Sequence, residues 1–148
     1  MNIEKFCKQY NLGEVIKITK LTGVLMHKMF KVETTIGTYA IKILNPEVMS
    51  RSEAYDNFVI SEKIANLAND NGIPVSSAKI INGNFITKLD DSYYMVFDFI
   101  KGRTLTDREI TITHCEKIGE VLASIHSIDY TSLGLTPDIV DYMTGNPI

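Results

Sequence analysis

The sequence predicts an α+β fold in which a mainly antiparallel sheet of about five strands carries one inserted helix. Three observations predict it. Short segments that alternate apolar and polar residues recur from Val15 to Phe99, separated by turn residues, as half-buried strands do. Among them, residues 52–69 repeat their apolar side chains at helical spacing instead. A second helical stretch, residues 113–127, follows only after a break at Lys101-Gly102.

In chain order, residues 1–12 read as a short helix or arm. Strands are expected at 15–21, 28–34 and 38–44, the first two joined by 22–27 and the next two by a tight Ile36-Gly37 turn. Asn45-Pro46 closes the third strand, because proline has no amide to give to a ladder. The helix over 52–69 carries a stripe of Ala54, Phe58, Ala65 and Ala68, flanked by Ile60, Ile64 and Leu67. Ser52 is placed to cap it, and Glu53 to favour its first turn. Asn71-Gly72 ends it and Pro74 prevents its continuation. Segments 78–81 and 85–89 flank Asn82-Gly83, which supplies the positive φ angles of a hairpin turn. Asp90-Asp91-Ser92 then turns the chain into a last strand at 93–99. The helix over 113–127 sets Cys115, Ile118, Leu122 and Ile125 on one face. Residues 129–148 read as loop, with one short helix from Thr136 and Pro137 at its first position.

Composition excludes several classes. Hydrophobic residues make up 45% and charged residues 22%, with a net charge of -3, so nothing suggests a nucleic-acid or anionic-membrane partner. No apolar run approaches the roughly 18–20 residues that span a bilayer. The first nine residues lack the apolar centre of a secretory signal. Cys7 and Cys115 are far apart and neither has a metal-ligand spacing, which suits a reduced cytoplasmic protein.

The chemistry is concentrated in Tyr39-Ala40-Ile41-Lys42. Strand alternation puts Tyr39, Ile41 and Ile43 on one face and Ala40, Lys42 and Leu44 on the other. A small residue two positions before a lysine leaves room for a flat base while the ammonium reaches phosphates. The string differs at one position from the Val-Ala-Ile-Lys signature of kinase strand three.

Four further segments lie in the matching order: Leu21-Thr22-Gly23, Gly72-Ile73-Pro74-Val75, Phe97-Asp98-Phe99-Ile100-Lys101-Gly102 and Leu122-Ala123-Ser124-Ile125-His126. With them, residues 12–130 or so resemble the N-terminal part of the aminoglycoside phosphotransferase and choline kinase family, which has a protein-kinase-like fold. The resemblance implies that residues 1–100 are a nucleotide-binding small lobe, and that 101–148 carry the hinge and the start of a large lobe. It gives Lys42 the α- and β-phosphates and assigns a carboxylate of the first long helix to hold it. Glu62, twelve residues before Pro74, fits that place better than Glu53, which comes too early in the helix. Residues 21–27 would cover the phosphates with exposed amides from Gly23 to Met26, Gly23 being the loop's only glycine. At the hinge, the Asp98 carbonyl and Ile100 amide would meet adenine, with Phe97 guarding the back of the pocket. His27 stands where the family often has a small polar residue, a nucleotide contact or a turn residue. His126 is expected to be structural, and His114 solvated. Met26, Met29 and Met95 would be core or pocket lining, and Lys79 and Lys88 solvated.

The family's His-Gly-Asp loop and later Asp-rich strand do not occur in these 148 residues. The chain is therefore expected to bind ATP, with GTP left open, but not to transfer phosphate, and Mg²⁺ would be held by residues it lacks. On this reading it is a truncated piece of an enzyme that phosphorylates a hydroxyl of a small molecule. Aminoglycoside, choline, a sugar and homoserine all remain open as acceptors. The alternative is a non-catalytic binding or interaction module. The Cys115, Ile118, Leu122 and Ile125 face should be covered by self-association or by folding back onto the sheet.

Overall fold

Five antiparallel strands form one sheet in the order β1-β2-β3-β5-β4. They are β1 (Val15–Leu21), β2 (Lys28–Thr34), β3 (Thr38–Ile43), β4 (Thr87–Leu89) and β5 (Ser92–Asp98). The structure, a computed structural model, describes residues 2–23 and 25–135, so the short helix expected from Thr136 lies outside the described residues.

Helix α1 (Ile3–Gln9) covers the outer face of the sheet. Asn2 caps it by accepting the Lys5 amide at 2.9 Å. Ile3, Phe6 and Cys7 pack there with Phe30, Val32, Tyr39, Ile41, Ile43, Tyr94 and Val96. Phe6 stacks on Tyr94 with ring centroids 4.3 Å apart, burial worth roughly 2–3 kcal/mol for the Phe6 side chain alone. The apolar face of β2, β3 and β5 is thus covered by α1, and the opposite face carries the cleft.

Two helices, not one, follow β3. The short α2 (Pro46–Met49) starts at the proline expected only to end the strand, with Asn45 accepting the Glu47 amide at 3.0 Å. The long α3 (Ala54–Asp70) follows it closely, and Ser52 does not cap it. The reason is local. After α2 the chain keeps turning, and backbone carbonyls take the amides that a capping side chain would satisfy: Arg51 N–H bonds to Val48 and Ala54 N–H to Arg51, both at 3.2 Å. Ala54 and Ala68 are the buried positions of α3, and Phe58 and Val59 pack beside Leu44, Ala78, Ile86 and Met95.

The expected hairpin at 78–89 is reduced. Asn82 and Gly83 do take positive φ, 50° and 79°, but the turn leaves a single bridge between Ile81 and Asn84. Residues 78–81 form no strand. They run beside β5 instead, where the Lys79 amide donates to the Val96 carbonyl at 2.7 Å.

Helix α4 (Ile112–His126) begins at Thr111, which forms a capping box with His114, so His114 serves the helix start. No residue of α4 is buried, and its apolar face is not folded back onto the sheet. His126, expected to be packed, is exposed. Among the described residues, no helix is long and apolar enough to cross a membrane.

Candidate functional site

Antiparallel register builds the inner face of the sheet row by row. Met29 pairs with Lys42 and Lys42 with Met95; Lys31 pairs with Ala40 and Ala40 with Phe97. Ala40 is the smallest side chain of these rows, and it leaves a cleft of about 300 Å³. Ala40, Lys42, Phe97, Asp98 and Ile100 line this cleft together with Met29, Ser76 and Phe99. Five of the seven residues singled out in the sequence therefore meet at one place. Glu62 and Gly23 do not line it. A larger opening of about 800 Å³, between the turn at 71–74 and α4, contains none of the seven.

Lys42 is half-buried, and its ammonium lies 5.1 Å from the centroid of the Phe58 ring. Burial pushes its pKa below the ordinary lysine value, and the charge of Glu62 partly opposes that shift. Glu62 is thus close enough to act on Lys42 through space. The two form no ion pair, and none of the ion pairs among the described residues involves Lys42. Instead the Glu62 Oε2 accepts the Ala78 amide at 2.7 Å. The ammonium is left with a π system and an incomplete counter-charge, an arrangement that an anion in the cleft would improve.

Gly23 has φ +84° and open space where a Cβ would sit, so it serves the turn of the β1–β2 loop. His27 in the same loop is better anchored. Its Nδ1 accepts the Asn45 amide at 3.1 Å, and its ring meets Phe58 edge-on at 5.5 Å. Burial, then the charge of Lys42, lower its pKa.

At the end of β5 the ladder alternates. The Phe99 amide donates to the Thr38 carbonyl at 3.1 Å, so Phe97 and Phe99 turn their backbone groups toward β3. The Asp98 carbonyl consequently points away from β3. The Asp98 side chain, for which no chemistry is expected from the sequence, pairs with Lys79 at 2.8 Å, so Lys79 is not merely solvated. Lys88 likewise lies over the Tyr93 ring, 5.4 Å from its centroid.

A sequence profile of the phosphotransferase enzyme family matches residues 17–142. The chain belongs to this phosphotransferase family. Two solved structures share its fold. One is a candidate aminoglycoside phosphotransferase from Ralstonia eutropha JMP134, 16% identical, with a TM-score of 0.59 over 90% of this chain and 39% of that one. The other is a spectinomycin phosphotransferase in complex with ADP and spectinomycin, 16% identical, with a TM-score of 0.64 over 93% of this chain and 41% of that one. The chain thus spans about two fifths of the length of these structures. No curated protein matches it in sequence. The five-stranded antiparallel sheet with its inserted helices is the kinase-like phosphotransferase fold.

Within the phosphotransferase frame, sequence reasoning left Phe58 as a core residue, although it lies under the Lys42 ammonium. It also gave Ser76 no place, and Phe99 none beyond the hinge segment, although both line the cleft. Met29, expected as core or pocket lining, does line the cleft, and the tight turn at Ile36-Gly37 fixes the hairpin register that sets it opposite Lys42.

Proposed function

We propose that residues 1–100 form the nucleotide-binding lobe of a small-molecule phosphotransferase, and that residues 101–148 carry its hinge and the opening of a second lobe. The observation that supports this reading is the meeting of Ala40, Lys42 and the Phe97–Ile100 segment around one cleft. Ala40 and Met29 give a base a flat apolar floor, with Phe97 behind it. The Asp98 carbonyl and the Ile100 amide are the proposed partners of the adenine edge. Lys42 then meets the α- and β-phosphates, with Glu62 supporting its charge from α3 and the amides beside Gly23 covering the phosphates. ATP is the proposed nucleotide, since that complex of a structural relative holds ADP; backbone contacts at a hinge leave GTP open.

Mg²⁺ does not fit the residues present. Among the described residues no three His, Cys, Asp or Glu side chains cluster as a metal site requires. The sequence also has no His-Gly-Asp. The 148 residues alone are therefore proposed to hold nucleotide without transferring phosphate, and transfer to an acceptor hydroxyl is proposed for the whole protein. The free thiols Cys7 and Cys115 accord with a cytoplasmic location. The apolar face of α4 is proposed to mediate self-association.

Thermal unfolding with and without ADP tests the reading. The wild type should gain stability with ADP and Lys42→Met should not. Absence of a shift in either would remove the nucleotide reading and favour an interaction module.

A further inference from the structure

His27 belongs to the β1–β2 loop, yet its contacts are with elements that follow β3. Its Nδ1 accepts the Asn45 backbone amide at 3.1 Å. Its ring packs edge-on against Phe58 of α3, at 5.5 Å and 65°. The same Phe58 ring lies 5.1 Å from the Lys42 ammonium. One imidazole thus joins the loop, the start of α2 and the aromatic ring against which Lys42 rests.

The Asn45 amide has few other ways to be satisfied. Asn45 is the cap of α2, and its side chain is already engaged by the Glu47 amide at 3.0 Å. Its own N–H precedes the helix and has no carbonyl behind it. An accepting Nδ1 requires a neutral ring with its proton on Nε2, because a protonated imidazole donates from both nitrogens. The tether can exist only in that form.

We propose that His27 is a positioning residue, holding the β1–β2 loop down on α2 and α3 and so fixing where Lys42 meets the phosphates of a nucleotide. The part concerning phosphates rests on the nucleotide reading of Lys42; the tether does not.

The surroundings favour the neutral ring. Burial comes first, and the positive charge of Lys42 on β3 adds to it. From α2 and α3 the ring faces Asn45 and Phe58, which carry no charge, while Glu62 acts on Lys42. A folded-state pKa below the ordinary histidine value means that the stabilisation is complete above that ordinary value. It is lost as pH falls through the folded value. Mild acid should therefore release the loop.

The test uses the 148-residue chain as wild type, His27→Asn and His27→Ala. An asparagine oxygen can replace the Nδ1 acceptor and does not titrate. Protection of the Asn45 amide is followed by NMR, and ADP affinity is measured, at neutral pH and at an acid pH where the His27 ring resonances show it protonated. At neutral pH, His27→Ala should speed Asn45 exchange and weaken ADP binding, each about tenfold, the loss of one hydrogen bond to a partly buried amide. His27→Asn should match the neutral-pH wild type at both pH values. The wild type should approach His27→Ala in acid. Equal Asn45 protection in wild type and His27→Ala, or wild-type protection unchanged at a pH where NMR shows the His27 ring protonated, would overturn the tether. An intact exchange pattern with unchanged ADP affinity would overturn the claim on Lys42. Failure of the wild type to bind ADP at all would remove the nucleotide reading and the phosphate part, with the exchange data still deciding the tether. Should His27→Ala not fold, the wild-type pH series compared with His27→Asn carries the same decision.

Discussion

The Glu62 carboxylate accepts the Ala78 amide at 2.7 Å, so α3 is fastened to the segment that runs beside β5 rather than directly to Lys42. A carboxylate that takes a backbone amide does two separable things. It satisfies a buried donor, and it lends negative charge to its surroundings. Glu62→Gln keeps the acceptor and drops the charge, so its unfolding free energy should stay within about 1 kcal/mol of wild type. Nucleotide affinity should nevertheless fall, because Lys42 loses the carboxylate charge that acts on it. Glu62→Ala should lose about 1–3 kcal/mol as well. Urea unfolding together with ADP titration separates the two, and a glutamine variant that destabilises as much as alanine would assign both effects to shape alone.

Lys42 presents the opposite balance. Its ammonium is half-buried with its pKa pushed down by burial, so the charged form is a cost to the folded state at neutral pH. The lowered folded value means that this cost is relieved as pH rises through that value toward the ordinary lysine range. Lys42→Met should accordingly leave the empty protein as stable as wild type or more stable by about 1 kcal/mol, roughly 2–4 °C in melting temperature. It should also abolish stabilisation by ADP. Scanning calorimetry with and without ADP reads both; a methionine variant that still responds to ADP would remove Lys42 from the site.

Phe6 is a control on the far side of the sheet. It is fully buried against Tyr94 and touches nothing in the cleft. Phe6→Ala should cost about 3–5 kcal/mol by leaving a cavity under α1. ADP affinity, measured at a temperature where the variant remains folded, should match wild type. A selective loss of affinity would show that the two faces of the sheet are coupled.

Helix α4 exposes Ile118 by 59% and Leu122 by 48% on one face, more apolar surface than a lone helix usually leaves in water. Concentration-dependent association is the expected result in sedimentation, and Ile118→Glu with Leu122→Glu should abolish it. A wild type that remains monomeric at every concentration tested would dismiss this face as a self-association surface.

The strands that build the cleft were legible because each obeys a simple period. Of the five strands, β1, β2, β3 and β5 begin and end within a residue of where alternation and turn chemistry put them, and the Ile36-Gly37 turn even sets the register that places Met29 opposite Lys42. Legibility failed where tertiary geometry overrides local preference. Ser52 is a good cap by residue type, yet α2 brings carbonyls close enough to make a cap redundant. Residues 78–81 alternate like a strand, but their partner turned out to be one carbonyl of β5 rather than a ladder. The site shows the same division. Ala40 and Lys42 can be read from one strand, whereas the meeting of His27, Asn45 and Phe58 joins three segments that no spacing rule connects.

The outer cover of the sheet also has a consequence in time. The Asn2 amide donates to the Tyr94 hydroxyl at 3.3 Å across a separation of 92 positions, and Phe6 stacks on the same ring. On a ribosome adding roughly 5–20 residues per second, α1 emerges several seconds before its platform exists. Until β5 arrives its apolar face has only part of its cover, an interval in which a chaperone can hold it. Tyr94 lies in β5 only four residues before Asp98. The strand that finally seats α1 is therefore the one that finishes the cleft, and the newborn chain gains its back wall and the edge of its cleft in a single event.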